Sequence, residues 1–491
     1  MTGSGGLRGR PGEWTHPGMT GSPARRRPSL RPLRHREGTV TGPSGRPPRV
    51  VVVGGGVAGF HALRSLQRRL PRDAAELVLV NPFDYLLYSP LLPEVATGVV
   101  EARHIAVSLR RTLPRVRLVL GRASAVDLAG RTVTVSRAGQ TERLDWDHLV
   151  MAPGSITRQF DIPGVPEHAR GLKTLVEAVW LRDHLLEQLD LADAQPDTEA
   201  GRAARAEMLT VVAVGAGYTG TEFVAQAQRW LTRIERRWDR TRARDVRWVL
   251  VDVAPMVLPE LGPQLGRHAL EVLRDRGVDV RLSTSVASAD GTRVTLTDGT
   301  TVASRTLIWG AGVVANPLVA GLGLPTRRGR LVTEPDLSVP GVEGLWAAGD
   351  AAAVPDLAVG EGADGQRPDT QPTAQHAQRQ GVALGRNVAA ALGYGTARPY
   401  RHPDLGLVAD LGGFDAVARP LGIRLTGPVA KVVARGYHLY ALPSTSARVR
   451  VAADWLFQSL LPPDETQLSV VREEDARLAT AQATTIYGST A

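Results

Sequence analysis

The chain has 491 residues, 43% of them hydrophobic, with no cysteine and a formal net charge of +10. That length holds two or three domains with large cores, and the missing cysteine excludes disulfides, thiolate metal sites and every thiol-based redox mechanism. The charge is no sign of nucleic-acid binding, because ten Arg and two Glu in residues 1–49 carry +8 of it and leave the body nearly neutral.

Residues 1–48 are rich in Gly, Pro, Ser and Arg and lack an apolar period, so they read as a disordered basic tail. No apolar stretch follows the arginines at 25–27, which argues against a secretory or twin-arginine signal, and Met19 offers an alternative start. Lysine occurs only at Lys173 and Lys431, a bias that reflects genome composition rather than a phosphate-reading surface.

Residues 51–66, VVVGGGVAGFHALRSL, give a strand, the turn Gly54-x-Gly56-x-x-Gly59 and a helical pattern. This is the fingerprint of a dinucleotide site: a tight turn, backbone bared for a pyrophosphate, and close packing of helix on strand. A second strand, ELVLVN, ends at Asn81, the right distance on for the residue that takes the ribose hydroxyls. An acid is usual there; the Asn81 amide oxygen accepts a hydrogen bond without charge. The alternating RTVTVSRAG predicts a β-meander, and a buried strand, Leu149–Ala152, then breaks at Pro153 and Gly154. The polar, Ala-rich stretch 191–207 predicts a connection between helix and strand. The opening pattern then returns 161 residues on, as Gly215-x-Gly217-x-x-Gly220 between a strand and a helix, with VRWVLVDV bringing Asp252 to the ribose position. Two fingerprints, each followed by its second strand, are far more specific than one. Glu222, two residues past Gly220, is expected in the first turn of the helix, where an acid also complements the dipole. A hairpin and strand then lead to Gly310 and Gly312, and a buried strand, Leu345–Ala348, delivers Gly349 and Asp350 to the carboxyl edge where ligands sit in open α/β sheets. No apolar run reaches the roughly 18–20 residues needed to cross a bilayer, but residues 427–464 predict two short helices. Val429, Val432, Val433, Tyr437 and Tyr440 recur along the first; Val451, Trp455, Leu456, Phe457, Leu460 and Leu461 mark the second, with Arg448 and Arg450 leading in.

This order of motifs resembles flavoproteins with two dinucleotide-binding domains, and among them most closely type II NADH dehydrogenases, the non-pumping NADH:quinone oxidoreductases. The likeness runs from about residue 49 to 465 and rests on NPFDYLLYSPLLPEVATG, LVMAPGS, GAGYTGTE, TLIWGAGV, LWAAGDAA, PTAQHAQRQG and PYRHPDLGLVADLGGFDAVA. It implies an α/β fold of two Rossmann-like domains in a glutathione-reductase-like arrangement, with a small C-terminal helical element. The implied boundaries are 49–170 and 310–405 for an FAD domain, 171–309 for an NADH domain, 406–470 for quinone and membrane association, and 471–491 for a tail. For FAD, the resemblance implies Gly54, Gly56 and Gly59 at the pyrophosphate and Asn81 at the ribose. Ala152 and Gly154 would pass close to it, Asp350 would take the ribityl chain, and Ala374 and Gln375 would lie near the isoalloxazine. For NADH it implies Gly215, Gly217, Gly220 and Gly312, with Asp252 on the ribose and repelling a 2′-phosphate. Glu222, Gln375 and Arg379 are the implied catalytic residues. Much of the family has two glutamines four residues apart at the quinone; here Gln375 is followed by Arg379 and Gln380, and Arg379 either meets a quinone carbonyl as a cationic donor or closes that route. The implied partners are menaquinone or ubiquinone and a membrane surface met peripherally, on the cytoplasmic face of the plasma membrane, and a homodimer fits this picture; nucleic acid does not. Relatives that work through thiols, disulfide reductases and sulfide:quinone reductases, are excluded by the absent cysteine. Two rivals stand beside this reading: a soluble FAD-dependent NAD(P)H oxidoreductase passing electrons to oxygen, a small molecule or a redox protein, and a dinucleotide sensor with little turnover.

Overall fold

The valines at 50–53 are buried because parallel strands flank them on both sides. They belong to a five-stranded parallel sheet in the order Leu345–Ala347, His148–Met151, Arg49–Val53, Glu76–Asn81, Arg117–Leu120. Both faces are covered, which is why these strands are apolar throughout rather than alternating. A second parallel sheet repeats the plan, in the order Ala169–Arg170, Thr306–Trp309, Thr210–Val214, Arg247–Asp252, Asp279–Leu282. Each sheet has its own three-stranded antiparallel meander, Arg122–Asp127 to Gln140–Asp145 for the first and Val286–Ala289 to Thr301–Ala303 for the second. The computed structural model describes residues 46–234, 238–242, 245–362, 367–402, 405–485 and 488–489. The basic stretch expected to be a tail lies outside the described residues up to position 45.

Six helices position the functional groups. Helix α1 (Val57–Arg69) follows the first glycine turn, α2 (Leu175–Asp193) starts from a capping box between Thr174 and Glu177, and α3 (Tyr218–Ile234) follows the second glycine turn. Helix α4 (Ala374–Ala391) lies directly on α1: a Cβ on Gly381 would sit 2.2 Å from the Ala58 carbonyl oxygen and one on Gly385 2.4 Å from that of Ala62. Helices α5 (Gly427–Ala441) and α6 (Thr445–Leu460) are the two expected C-terminal helices.

Two expectations need correction. Residues Glu199–Met208 form a helix, capped by Thr198 accepting from the Gly201 N–H, so the Ala-rich segment follows its helix propensity instead of serving only as a connection. The C-terminal element is also not purely helical, since Val408–Asp410, Ala416–Ala418 and Leu425–Thr426 form an antiparallel sheet under α5.

Candidate functional site

The two glycine turns share one construction. Gly54 has φ +100° and Gly215 φ +103°, a region L-residues avoid. A Cβ on Gly54 would lie 2.2 Å from the Ala152 carbonyl oxygen, and one on Gly59 2.0 Å from that of Gly54. In the second turn the matching distances are 2.3 Å, from Gly215 to the Gly310 carbonyl oxygen, and 2.0 Å, from Gly220 to that of Gly215. By contrast, a Cβ on Gly56 or Gly217 would meet nothing within 4 Å. The outer glycines are therefore required by packing, while the middle ones leave open space at a helix N-terminus, where backbone N–H groups attract phosphate.

At the tips of the second strands, Asn81 Oδ1 accepts from the Gly55 N–H (2.7 Å) while its Nδ2 donates to the Phe83 carbonyl (2.8 Å). Asp252 makes the corresponding contacts, accepting from the Ala216 N–H and from the Ala254 N–H (2.7 Å). The two residues stand in matching places. The Asn81 amide is already engaged on both sides, and its first duty is to brace the turn.

Above the first turn lies a cavity of about 910 Å³, lined by Gly54–Gly56, Asn81, Phe83, the Ala152–Ser155 segment, Lys173 and Asn316. Its size suits a cofactor of dinucleotide dimensions. Gly154, at φ +74°, has open space where a Cβ would stand, and Gly312, at φ +87°, is exposed beside the second turn. Asp350 Oδ2 accepts from Ser155 Oγ (2.7 Å), which accepts in turn from Lys173 Nζ (3.0 Å). Burial lowers the Lys173 ammonium below its usual range, and the carboxylates of Asp350 and Glu177 oppose that shift. The one sequence signal for Lys173 is its rarity in an Arg-rich chain.

Gly349 is wedged between Ala58 of α1 and Ala377 of α4, bringing Asp350 and the start of α4 together. Gln380 holds this junction: its Oε1 accepts from the Gly349 N–H (2.8 Å) and its Nε2 donates to Thr370 (2.9 Å). Its fully buried amide is spent on positioning Asp350. Ala374 opens α4, and the buried Gln375 that follows it accepts from the Leu405 N–H (2.8 Å), donates to the Gly406 carbonyl (3.2 Å) and faces His402 (3.2 Å). Arg379, one turn on, donates to the Gln375 carbonyl (3.2 Å).

Glu222 is the fifth residue of α3, past its first turn, and is buried. The helix-dipole explanation therefore fails, and the side chain instead accepts the Asp410 N–H (2.8 Å) from the C-terminal sheet. Around it stand groups that sequence reasoning missed. Lys431 of α5 donates to both carboxylate oxygens of Asp410, Glu94 accepts from Trp455 Nε1 of α6 (2.5 Å), and Tyr88 meets His438 Nδ1 (3.1 Å). Burial pushes Glu222 well above the usual carboxylate range, with the negative charges of Asp410 and Glu94 adding to it. Burial likewise raises Glu94 to about 7, helped by Asp410 and opposed by Lys431. His438 is lowered to about 4, so it is neutral at physiological pH. Lys431 is taken up by its pair with Asp410, so Glu222 and Glu94 stay buried by keeping protons.

Residues 48–381 match the family model described as pyridine nucleotide-disulphide oxidoreductase. The type II NADH:quinone oxidoreductase Ndh of Mycobacterium tuberculosis is 31% identical over 432 residues, which is 84% of this chain and 89% of that protein. The chain belongs to the type II NADH:quinone oxidoreductase family. A family member from Staphylococcus aureus is 26% identical over 393 residues, 78% of this chain and 92% of that protein. In fold, an NDH2 structure from Plasmodium falciparum in complex with NADH aligns with a TM-score of 0.78 at 17% identity, over 86% of this chain and all of the other. The disulphide in the broader family's description has no counterpart here, since the chain has no cysteine.

Proposed function

We infer that the chain oxidises NADH and reduces a quinone by way of FAD, without pumping protons. The observation that carries this is the pair of glycine turns, each with an open middle glycine, on two separate parallel sheets. When bound, FAD supplies the hydride acceptor and the two-electron donor. Gly54, Gly56 and Gly59 hold its pyrophosphate, Asn81 braces the turn beside the ribose, and Ala152, Gly154 and Asp350 with Ser155 and Lys173 line the rest of its site. Gly215, Gly217, Gly220, Asp252 and Gly312 hold NADH, and the Asp252 carboxylate disfavours a 2′-phosphate. Ala374 and Gln375 lie at the isoalloxazine end, and Gln375 with Arg379 faces the quinone. Glu222 holds a proton at Oε2, because Oε1 accepts the Asp410 N–H, and quinone reduction consumes two protons. The domain limits follow the same assignment, 49–170 with 310–405 for FAD and 171–309 for NADH.

No helix among the described residues is long and apolar enough to cross a membrane. The outer faces of α5 and α6 nonetheless expose Val429, Val432, Tyr440, Leu456, Phe457 and Leu460, continuous in character with Phe414, Leu421 and Ile423 nearby in the C-terminal sheet region. We assign this apolar surface to peripheral attachment. Val451 and Trp455 are buried instead, so those two belong to packing rather than to the membrane face. Anaerobic turnover tests the function: NADH consumption should require a short-chain menaquinone or ubiquinone. Equal rates with oxygen and no added quinone would favour the soluble-oxidoreductase reading.

A further inference from the structure

Past α6 the chain turns back across the molecule instead of trailing away. Arg182 of α2 donates to the carbonyl oxygens of Asp464 (3.1 Å) and Thr466 (2.8 Å), and Asp183 accepts from the Ser469 N–H (2.8 Å). Arg170, buried on the edge strand of the second sheet, donates to Glu473 (2.7 Å). The Leu478 N–H then donates to the Ala169 carbonyl (3.1 Å), while its side chain is fully buried among the valines of the second sheet and its meander. The last anchor lies on the other dinucleotide unit: Gln482 Oε1 accepts the Thr157 N–H (2.9 Å), and the Gln482 carbonyl accepts from the Arg122 guanidinium (2.8 Å).

This path brings Leu478, Ala479, Ala481, Gln482 and Ala483 into the wall of the 910 Å³ cavity that also contains Gly54–Gly56 and Asn81. Gln482, held on both sides by Thr157 and Arg122, fixes this segment against the cavity, and the small side chains of Ala479, Ala481 and Ala483 leave the space beside Gly54–Gly56 free for a ligand of dinucleotide size.

We propose that residues 478–483 are part of the flavin site: a strap that closes the cavity over the nucleotide end of FAD, pinned there by the bonds of Gln482 to Thr157 and Arg122, and that slows its release. This rests on the assignment of FAD to the first glycine turn. It gives the C-terminal segment, which the sequence presents as a tail, a binding role, and it ties flavin retention to both sheets at once.

The test compares the full chain, a chain ending at Thr480 and the Gln482→Ala variant. The truncation keeps Leu478 and every anchor before it. FAD dissociation is followed by the recovery of flavin fluorescence on dilution, and thermal unfolding is measured on the flavin-free proteins. The truncation should release FAD at least about ten-fold faster and Gln482→Ala several-fold faster, with unchanged unfolding of the flavin-free forms and unchanged NADH binding at the second turn. Release rates within about two-fold of the full chain for both would overturn the strap. So would faster release that merely tracks an equal loss of stability in the flavin-free protein. A full-length chain that binds no added FAD would sink the flavin assignment itself, a result distinct from either.

Discussion

At the first glycine turn the residue in the ribose position, Asn81, is only 7% exposed and the chain's own C-terminal segment walls the space above; at the second, Asp252 is half-buried and its neighbour Val253 is 72% exposed. The turns themselves differ by about a tenth of an ångström in their closest approaches. The shared part is therefore dictated by the chemistry both must perform, presenting backbone N–H groups to a pyrophosphate. The unshared part follows residence time, since a cofactor kept through many turnovers gains from a closed site and a substrate exchanged every cycle needs an open one. The buried charges divide in the same way. Lys173, beside the first site, meets Asp350 through Ser155 in a chain of hydrogen bonds. Lys431, near Glu222, must serve Asp410 while Glu222 and Glu94 crowd the same interior.

The sharpest way to break the comparison is to fill the middle glycines. Neither Gly56 nor Gly217 has a neighbour within 4 Å of a Cβ, and neither has a positive φ, so valine should fold at both. Gly56→Val should weaken FAD binding roughly 100-fold and give colourless protein, whereas Gly217→Val should keep its flavin and raise the NADH concentration needed for half-maximal rate by a similar factor. Flavin content and NADH saturation curves read the two effects separately; loss of flavin in both variants would mean the sites are not independent.

A smaller effect distinguishes the ribose positions. Asp252→Ser should raise the NADPH-to-NADH ratio of kcat/KM by about ten-fold, because it removes a charge facing the 2′ position. An unchanged ratio would show that Asp252 only braces its turn, as Asn81 does.

The smallest expected effect concerns the acid cluster. The folded Glu94 carboxyl titrates near 7, above its ordinary value of 4.5. A raised carboxylate favours the folded state fully below the unfolded value, and that contribution is lost as pH climbs from about 4.5 through 7. Glu94→Gln keeps an acceptor for Trp455 but cannot ionise. Its melting temperature relative to the parent should therefore improve by on the order of 2–4 °C between pH 5 and pH 8. A gap that stays constant with pH would mean Glu94 does not titrate in that window.

Both sheets, both turns and Asp350 were legible in the sequence because local rules suffice for them: a valine run, glycines at fixed spacing and an acid at a strand end. Glu222 was legible as a residue but not in its role, since its partner Asp410 is 188 positions away. Glu94 and Trp455 are separated by still more, and nothing local marks either as a partner of the other. The C-terminal sheet escaped notice because its strands are two or three residues long and its hairpin glycines, Gly412 and Gly413, read as an ordinary loop. The strap was invisible for a similar reason: short, made of small residues and without periodicity, it is ordered by anchors that distant elements supply.

The central claim, two separate dinucleotide sites joined through one flavin to a quinone, is tested most directly by double-mixing stopped flow without oxygen. The flavin-loaded protein is mixed first with NADH and then with a short-chain menaquinone or ubiquinone, while the visible flavin absorbance is recorded. The account predicts rapid bleaching, then rapid recovery on quinone addition, with bleaching alone slowed in Gly217→Val at low NADH. Bleaching that oxygen reverses and quinone does not would contradict it.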